Sequence, residues 1–324
     1  MTHFFPSAAT ALERDLFRRV AEWNGAPGLD AFSPELLARI TAHEGCDFAT
    51  ALLHRQIAMS EEHGPFLRGL KDASVIDRSK PVRVVIVPGA FYRENRRTGA
   101  DGRIVGEVAQ RLGWPFQLVP LASTGGIREN AGTLTSWLSA QNGAPIILVS
   151  LSKGGSDVKM ALARDDASCA FERVIGWVSL CGILEGTPMA DWLLSESLLA
   201  RVNRFVYRIR GRSLDFLADL RRGPGCPLDI PLLLPPHLQV IHVIGFPLRH
   251  HLRNGLARRC HVRLEAFGPN DGSILLSDVL RWPGQLCPVW GADHYLRPRT
   301  DIRPLLATLL RSIAAGVIAG AAVQ

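Results

Sequence analysis

Ile146-Ile147-Leu148-Val149-Ser150-Leu151-Ser152-Lys153-Gly154-Gly155 is the stretch on which the reading of this sequence turns. Its first half is an unbroken apolar run, the pattern of a strand covered on both faces of a parallel sheet. Its second half is a serine flanked by small residues, then paired glycines, and a helical stretch, Val158–Ala163, follows. Strand, tight turn and helix therefore follow one another within a few residues. Small residues two before and two after Ser152 allow the backbone to reverse sharply there. A turn of that kind lifts the Ser152 hydroxyl above the sheet edge, and the next helix aims its positive N-terminal end at it.

The same texture extends outward. Val82-Arg83-Val84-Val85-Ile86-Val87 is a β-branched run ending at Pro88-Gly89. Further strands are expected over Phe116–Leu121, Pro145–Leu151, Val174–Leu180, Leu238–Ile244 and Gln285–Trp290, with helical stretches such as Leu134–Ala140 between them. Strand alternating with helix at this spacing predicts an α/β fold with a doubly wound, mostly parallel sheet. Core segments fall over residues 81–185 and 237–324. Residues 1–80 read as a helical N-terminal extension. Leu12, Leu16, Val20 and Trp23 recur at helical spacing, Ser33 caps a helix opened by Pro34-Glu35, and Ala49–Met59 is a third helix. Between residues 186 and 236 the alternation breaks. Met189–Leu199, Val202–Ile209 and Leu214–Leu220 read as helices, and Pro224, Pro227, Pro231, Pro235 and Pro236 close the stretch, which has the character of a helical lid insertion.

Composition sets the outer limits. The chain has 324 residues, 47% of them hydrophobic and 21% charged, so it can bury a core without disulfide staples or a structural metal. The balance of 37 basic to 30 acidic residues gives +7, and lysine occurs only at 71, 80, 153 and 159. That arginine bias is of the kind a GC-rich coding sequence gives. The charge is spread along the chain without a basic block, which argues against a nucleic-acid surface. Cys46, Cys169, Cys181, Cys226, Cys260 and Cys287 are scattered, without a CxxC pair, and are expected as reduced core thiols of a cytoplasmic protein. The N-terminus turns charged too early for a signal peptide. No apolar run reaches the roughly 18 residues that span a bilayer, and Ile313–Val323 reads as a packed terminal helix.

Ser150-x-Ser152-x-Gly154 resembles the nucleophile elbow, G-x-S-x-G, of the α/β-hydrolase superfamily, with Ser150 in place of the first glycine. The resemblance covers roughly residues 82–310 and implies a serine esterase or lipase-like enzyme. It makes Ser152 the nucleophile. It places an oxyanion-binding loop after the early strand, at Gly89, with the N–H of Ala90 or Phe91 paired to that of Lys153; each such donor is worth about 3 kcal/mol. It also sets the order nucleophile, acid, histidine. Gly268-Pro269-Asn270-Asp271-Gly272-Ser273-Ile274 is similar to the acid loop of many bacterial lipases and nominates Asp271, with Glu185 and Asp191 as competitors. His294, in Trp290-Gly291-Ala292-Asp293-His294, follows the last strand, and the other nine histidines precede Asp271. Asp293 is read as a loop residue.

Other constellations imply less. Ser150-x-x-Lys153 matches the S-x-x-K of penicillin-binding enzymes, but no S-D-N or K-T-G accompanies it. His242, His250, His251, Cys260 and His261 lack metal-ligand spacing, and the glycines at 99, 102, 125 and 126 lack a phosphate-loop pattern. Neither a metal nor a cofactor is therefore expected. Arg249–Arg263 reads as an amphipathic helix with Leu252, Leu256 and Cys260 inward and a solvated arginine face, a peripheral membrane contact being the alternative. Arg201, Arg204, Arg208, Arg210 and Arg212 read the same way. Trp192, Phe205, Tyr207 and Phe216 could line an acyl pocket. The expected activity is cleavage of a small-molecule or lipid-like ester. A thioesterase or acyltransferase with the same residues, and a non-catalytic binding protein on a hydrolase fold, are the alternatives.

Overall fold

The computed structural model describes residues 10–23, 28–72, 82–195, 197, 201–202, 214, 216–297 and 301–316. The strands are β1 (Arg83–Val87), β2 (Phe116–Leu118), β3 (Ile146–Leu151), β4 (Val174–Leu180), β5 (Gln239–Phe246) and β6 (Gln285–Trp290). They form a six-stranded sheet in the order β2-β1-β3-β4-β5-β6. β1 pairs in parallel with β2 and β3, and β3 with β4, with Val87 opposite Ser150 and Ser150 opposite Ser179. The helices used below are α1 (Ala11–Glu22), α2 (Pro34–Glu44), α3 (Cys46–Met59), α4 (Gly64–Asp72), α5 (Arg103–Arg111), α6 (Ile127–Ser139), α7 (Lys153–Leu162), α8 (Ala167–Ala170), α9 (Pro188–Leu194), α10 (Phe216–Asp219), α11 (Gly255–Leu264) and α12 (Arg303–Ala314). The doubly wound, mostly parallel α/β architecture expected from the strand spacing is the one found.

The chain divides into two compact units whose limits cut across the boundaries read from the sequence. One holds Met1–Ser74 with Val243–Ile302, the other Val75–His242 with Arg303–Gln324. In the second unit, Val84, Val85, Ile147, Leu148 and Val178 are fully buried, which is why these strands read as unbroken apolar runs. β4 and β6 have the expected limits. β2 stops at Leu118 instead of Leu121. The Val119 N–H still reaches Ile86 O at 2.9 Å, but Pro120 has no N–H with which to continue the ladder. α12 docks so closely on β4 that a Cβ at Gly176 would collide with Ile313.

In the first unit, Ser33 caps α2 through the Leu36 N–H at 3.1 Å, with Pro34 in the first turn, as the sequence indicates. The inward face of α1 differs from the one read. Leu12 is exposed and Glu13 is buried, because the Glu13 carboxylate has partners far along the chain. It accepts the Thr10 N–H at 2.6 Å, completing a capping box, and faces His251 Nε2 at 2.9 Å and the Trp290 indole N–H at 3.2 Å. These bonds outweigh burial and hold its pKa down at about 2.

The arginine-rich stretch also differs from its reading. Leu252 precedes α11, Leu256 is exposed, and the residues α11 buries are His261 and Leu264. The six cysteines are all free, but Cys169 is exposed and Cys226 and Cys260 are half-buried, so only three are core thiols. Of the three helices read between residues 186 and 236, α9 and α10 overlap the first and the third; Phe205, Tyr207, Arg204, Arg208, Arg210 and Arg212 lie outside the described residues, as does most of Ile313–Val323. Among the described residues no helix is long and apolar enough to cross a membrane.

Candidate active site

Ser152 stands between β3 and α7 with φ 49° and ψ −116°. A residue with a Cβ rarely adopts that conformation, and the surrounding packing must enforce it. Gly154 permits it, since a Cβ there would lie 2.5 Å from Val87 O and 2.7 Å from Pro88 O. Gly155 lets α7 approach the chain after β4, where a Cβ would fall 2.8 Å from Gly182 Cα. The departure at Ser150 has its own cause. Its hydroxyl accepts the indole N–H of buried Trp177 at 2.9 Å, so the serine satisfies a polar group that a glycine would leave unpaired.

The loop after β1 closes on this turn. A Cβ at Gly89 would lie 3.0 Å from Leu151 O and 3.5 Å from Ser152 Cβ. The Phe91 N–H, one of the two expected to serve the oxyanion, is donated to Ser123 O at 3.3 Å. The Ala90 N–H makes no backbone hydrogen bond among the described residues. Lys153 is the first residue of α7, where a backbone N–H has no partner within the helix.

The Lys153 side chain plays a part that sequence did not show. Its ammonium donates to both oxygens of Asp157, at 2.8 and 3.0 Å, and both residues are about 1% exposed. Asn130 donates to Asp157 at 3.1 Å. Burial, opposed by Lys153 and Asn130, pushes the Asp157 carboxyl up to about 6. The one-turn spacing of 153 and 157 on a helix was the available signal. With Lys153 paired and Ser150 engaged by Trp177, the S-x-x-K reading has neither a free base nor a free hydroxyl.

Asp271 and His294 are brought together. His294 Nδ1 lies 2.8 Å from Asp271 Oδ2, and the His294 N–H donates to Asp271 O at 3.0 Å. Asp271 Oδ1 accepts the N–H groups of Ser273 and Ile274, both at 2.8 Å. The Asn-Asp-Gly turn thus fixes one carboxylate oxygen with backbone and leaves the other to the imidazole. Both side chains are buried. Burial pulls the His294 pKa down, but the charge and hydrogen bond of Asp271, joined by Asp293, outweigh it and the net shift is upward. Asp293 accepts the N–H groups of Tyr295 and Arg297 at 2.9 and 3.1 Å and shapes the loop. The competing acids are engaged elsewhere. Glu185 pairs with buried Lys159 at 2.9 Å, and Asp191 with Arg221 at 2.8 Å.

Ser152, Lys153 and Ala90 belong to one compact unit, Asp271 and His294 to the other. Of the histidines and cysteine read as a loose cluster, His250 and His251 stand together beside Glu13, with ring centroids 4.1 Å apart, and the others lie elsewhere. His251 faces Glu13, His261 faces Cys46, and His242 packs against Trp177 with ring centroids 5.8 Å apart.

No protein-family model and no curated protein matches the chain. Solved structures do. A metagenomic carboxyl esterase, MGS0156, superposes with a TM-score of 0.56 at 21% identity, over 74% of this chain and 80% of its own. The mature form of the Bacillus licheniformis lipase BlEst2 superposes with a TM-score of 0.52 at 21% identity, over 72% of this chain and 94% of its own. With its parallel sheet and flanking helices, the chain has the α/β-hydrolase fold.

Proposed function

We propose that the protein is a serine hydrolase of carboxylic esters, with Ser152 as nucleophile, His294 as general base and acid, and Asp271 as the group that orients the imidazole. The observation that carries this reading is the backbone of Ser152, held at φ 49° between a buried strand and a helix N-terminus. Little but a need to present a hydroxyl at that point accounts for so constrained a serine. The Asp271–His294 pair supplies the matching base. Its Nδ1–H is committed to the carboxylate, which leaves Nε2 to accept a proton.

In this mechanism Ser152 Oγ attacks the acyl carbon as His294 Nε2 takes the hydroxyl proton. The carbonyl oxygen becomes an oxyanion held by the Ala90 and Lys153 N–H groups. The C–O bond to the alcohol breaks, and the alkoxide leaves with the proton from His294. Water, deprotonated by His294, then attacks the acyl-enzyme and releases the acid and free Ser152. The fold shared with a carboxyl esterase and a lipase supports ester chemistry. A thioester substrate, or an alcohol acceptor in place of water, would use the same residues.

A fluorophosphonate probe tests the reading. Wild-type protein should be labelled covalently and hydrolyse p-nitrophenyl esters, and Ser152→Ala should do neither. Esterase activity undiminished in Ser152→Ala would reject the assignment.

A further inference from the structure

We propose that Cys46, His261 and Glu265 bind a divalent cation of the zinc type, behind the loop that carries Asp271. Cys46 opens α3, while His261 and Glu265 stand one turn apart on the same side of α11 and the turn that follows it. Cys46 Sγ lies 3.8 Å from His261 Nε2, and His261 Nε2 lies 3.6 Å from Glu265 Oε1. All three ligand atoms fall within 4.8 Å of one another. Tetrahedral zinc, with bonds of about 2.0–2.3 Å, separates its ligand atoms by roughly 3.3–3.6 Å. The set is therefore within an ångström or so of a closed coordination sphere, a distance that small side-chain rotations cover.

The hydrogen bonding points to a cation. His261 Nδ1 lies 3.2 Å from Asn270 O, and a carbonyl only accepts, so Nδ1 carries the hydrogen. Nε2 then bears a lone pair aimed at the thiol and the carboxylate. Two acceptors, imidazole and carboxylate, face each other in a site where His261 is fully buried. Histidine ligands to zinc are fixed in this way, by a backbone carbonyl behind the distal nitrogen. Thiolate, imidazole and carboxylate together suit zinc better than calcium or magnesium. Glu265 is partly exposed and gives the ion a route from solvent, with a water in the fourth position.

The site has a structural consequence. Asn270 carries the carbonyl that holds His261, and its side-chain amide donates to His261 O at 3.3 Å and Gly268 O at 3.2 Å. A bound ion would tie α3, α11 and the 268–275 turn together beside Asp271. The sequence could not show this, because Cys46 and His261 are 215 positions apart.

The test uses the full-length protein freed of metal by a chelator. Zinc titrated against a chromophoric competitor should bind with one equivalent at micromolar affinity or tighter. Cobalt in its place should give the near-ultraviolet charge-transfer band of a thiolate ligand. Zinc should raise the melting temperature of wild type and not that of Cys46→Ser. Glu265→Gln, at a partly exposed position where folding is not at stake, should weaken binding at least tenfold. No stoichiometric binding by folded wild type, a cobalt spectrum without the thiolate band, or undiminished affinity in both variants would each overturn the assignment.

Discussion

At the scale of single residues the proposed chemistry rests on how a few side chains are held. Asp271 spends one oxygen on two backbone N–H groups and the other on His294, so Asp271→Asn should keep the loop's shape while losing the charge that favours the imidazolium. The raised pKa of His294 fixes the sign of two pH effects. The proposed mechanism needs neutral imidazole at His294, so kcat/KM should climb with pH through a midpoint above the ordinary histidine value of 6.5. Asp271→Asn should move that midpoint downward and cut kcat by about four orders of magnitude; a pH profile of ester hydrolysis on both proteins checks this. The stability that the Asp271–imidazolium pair contributes runs the other way. It is fully present below 6.5 and is lost as pH rises through the folded-state value. The constrained turn at Ser152 and the Asp271–His294 contact were legible because each residue sits in a strand-end or turn whose local sequence declares it. The partner of the Phe91 N–H was not legible, because Ser123 O lies thirty-two residues on. Leu12 was placed inward on α1 for the same reason, since Trp290 and His251, which make the buried Glu13 carboxylate beside it tolerable, are remote in sequence.

At the scale of elements, α7 shows how a motif becomes a geometry. Its N-terminus fits under β1 only because position 154 lacks a Cβ. Gly154→Ala should therefore push α7 away from Val87 and Pro88, destabilising the protein by about 3 kcal/mol and reducing fluorophosphonate labelling disproportionately. Urea unfolding and the labelling rate measure the two effects. A variant with wild-type values for both would show that the elbow tolerates a Cβ. The same helix buries two of the chain's four lysines, Lys153 against Asp157 and Lys159 among Leu184 O, Leu228 O and Glu185. Periodicity alone would place such lysines outward. The strands read well for the opposite reason. β4 and β6 are apolar and buried along nearly their whole length, so their limits coincide with the limits of their apolar runs. β2, exposed at all three positions, had no buried run to mark its end, and Pro120 set it instead.

At the scale of the whole molecule, two buried carboxylates should shape the response to acid with opposite signs. The chain carries +7 near neutrality and has 30 acidic residues to protonate, so repulsion will weaken the fold in acid whatever else happens. Differences between variants remove that shared background. Asp157 has a folded-state pKa of about 6 against 3.8 in the open chain. The folded protein therefore binds more protons between those values, and this residue stabilises increasingly as pH falls from 6 to 3.8. Glu13, at about 2 against 4.5, does the reverse, and its contribution is present above 4.5 and disappears as pH falls toward 2. Melting temperatures measured from pH 7 to pH 2 should separate the two. Glu13→Gln should start less stable at neutral pH and then lose less than wild type below 4.5. Asp157→Asn should lack the wild-type gain between 6 and 3.8. The slope against pH is the informative quantity, because either substitution also disturbs packing at every pH. Parallel curves for Glu13→Gln and wild type below 4.5 would mean that the carboxylate joining α1 to His251 and Trp290 is not ionised in the folded state, and that the buried network of the N-terminal helices is held by neutral hydrogen bonds instead.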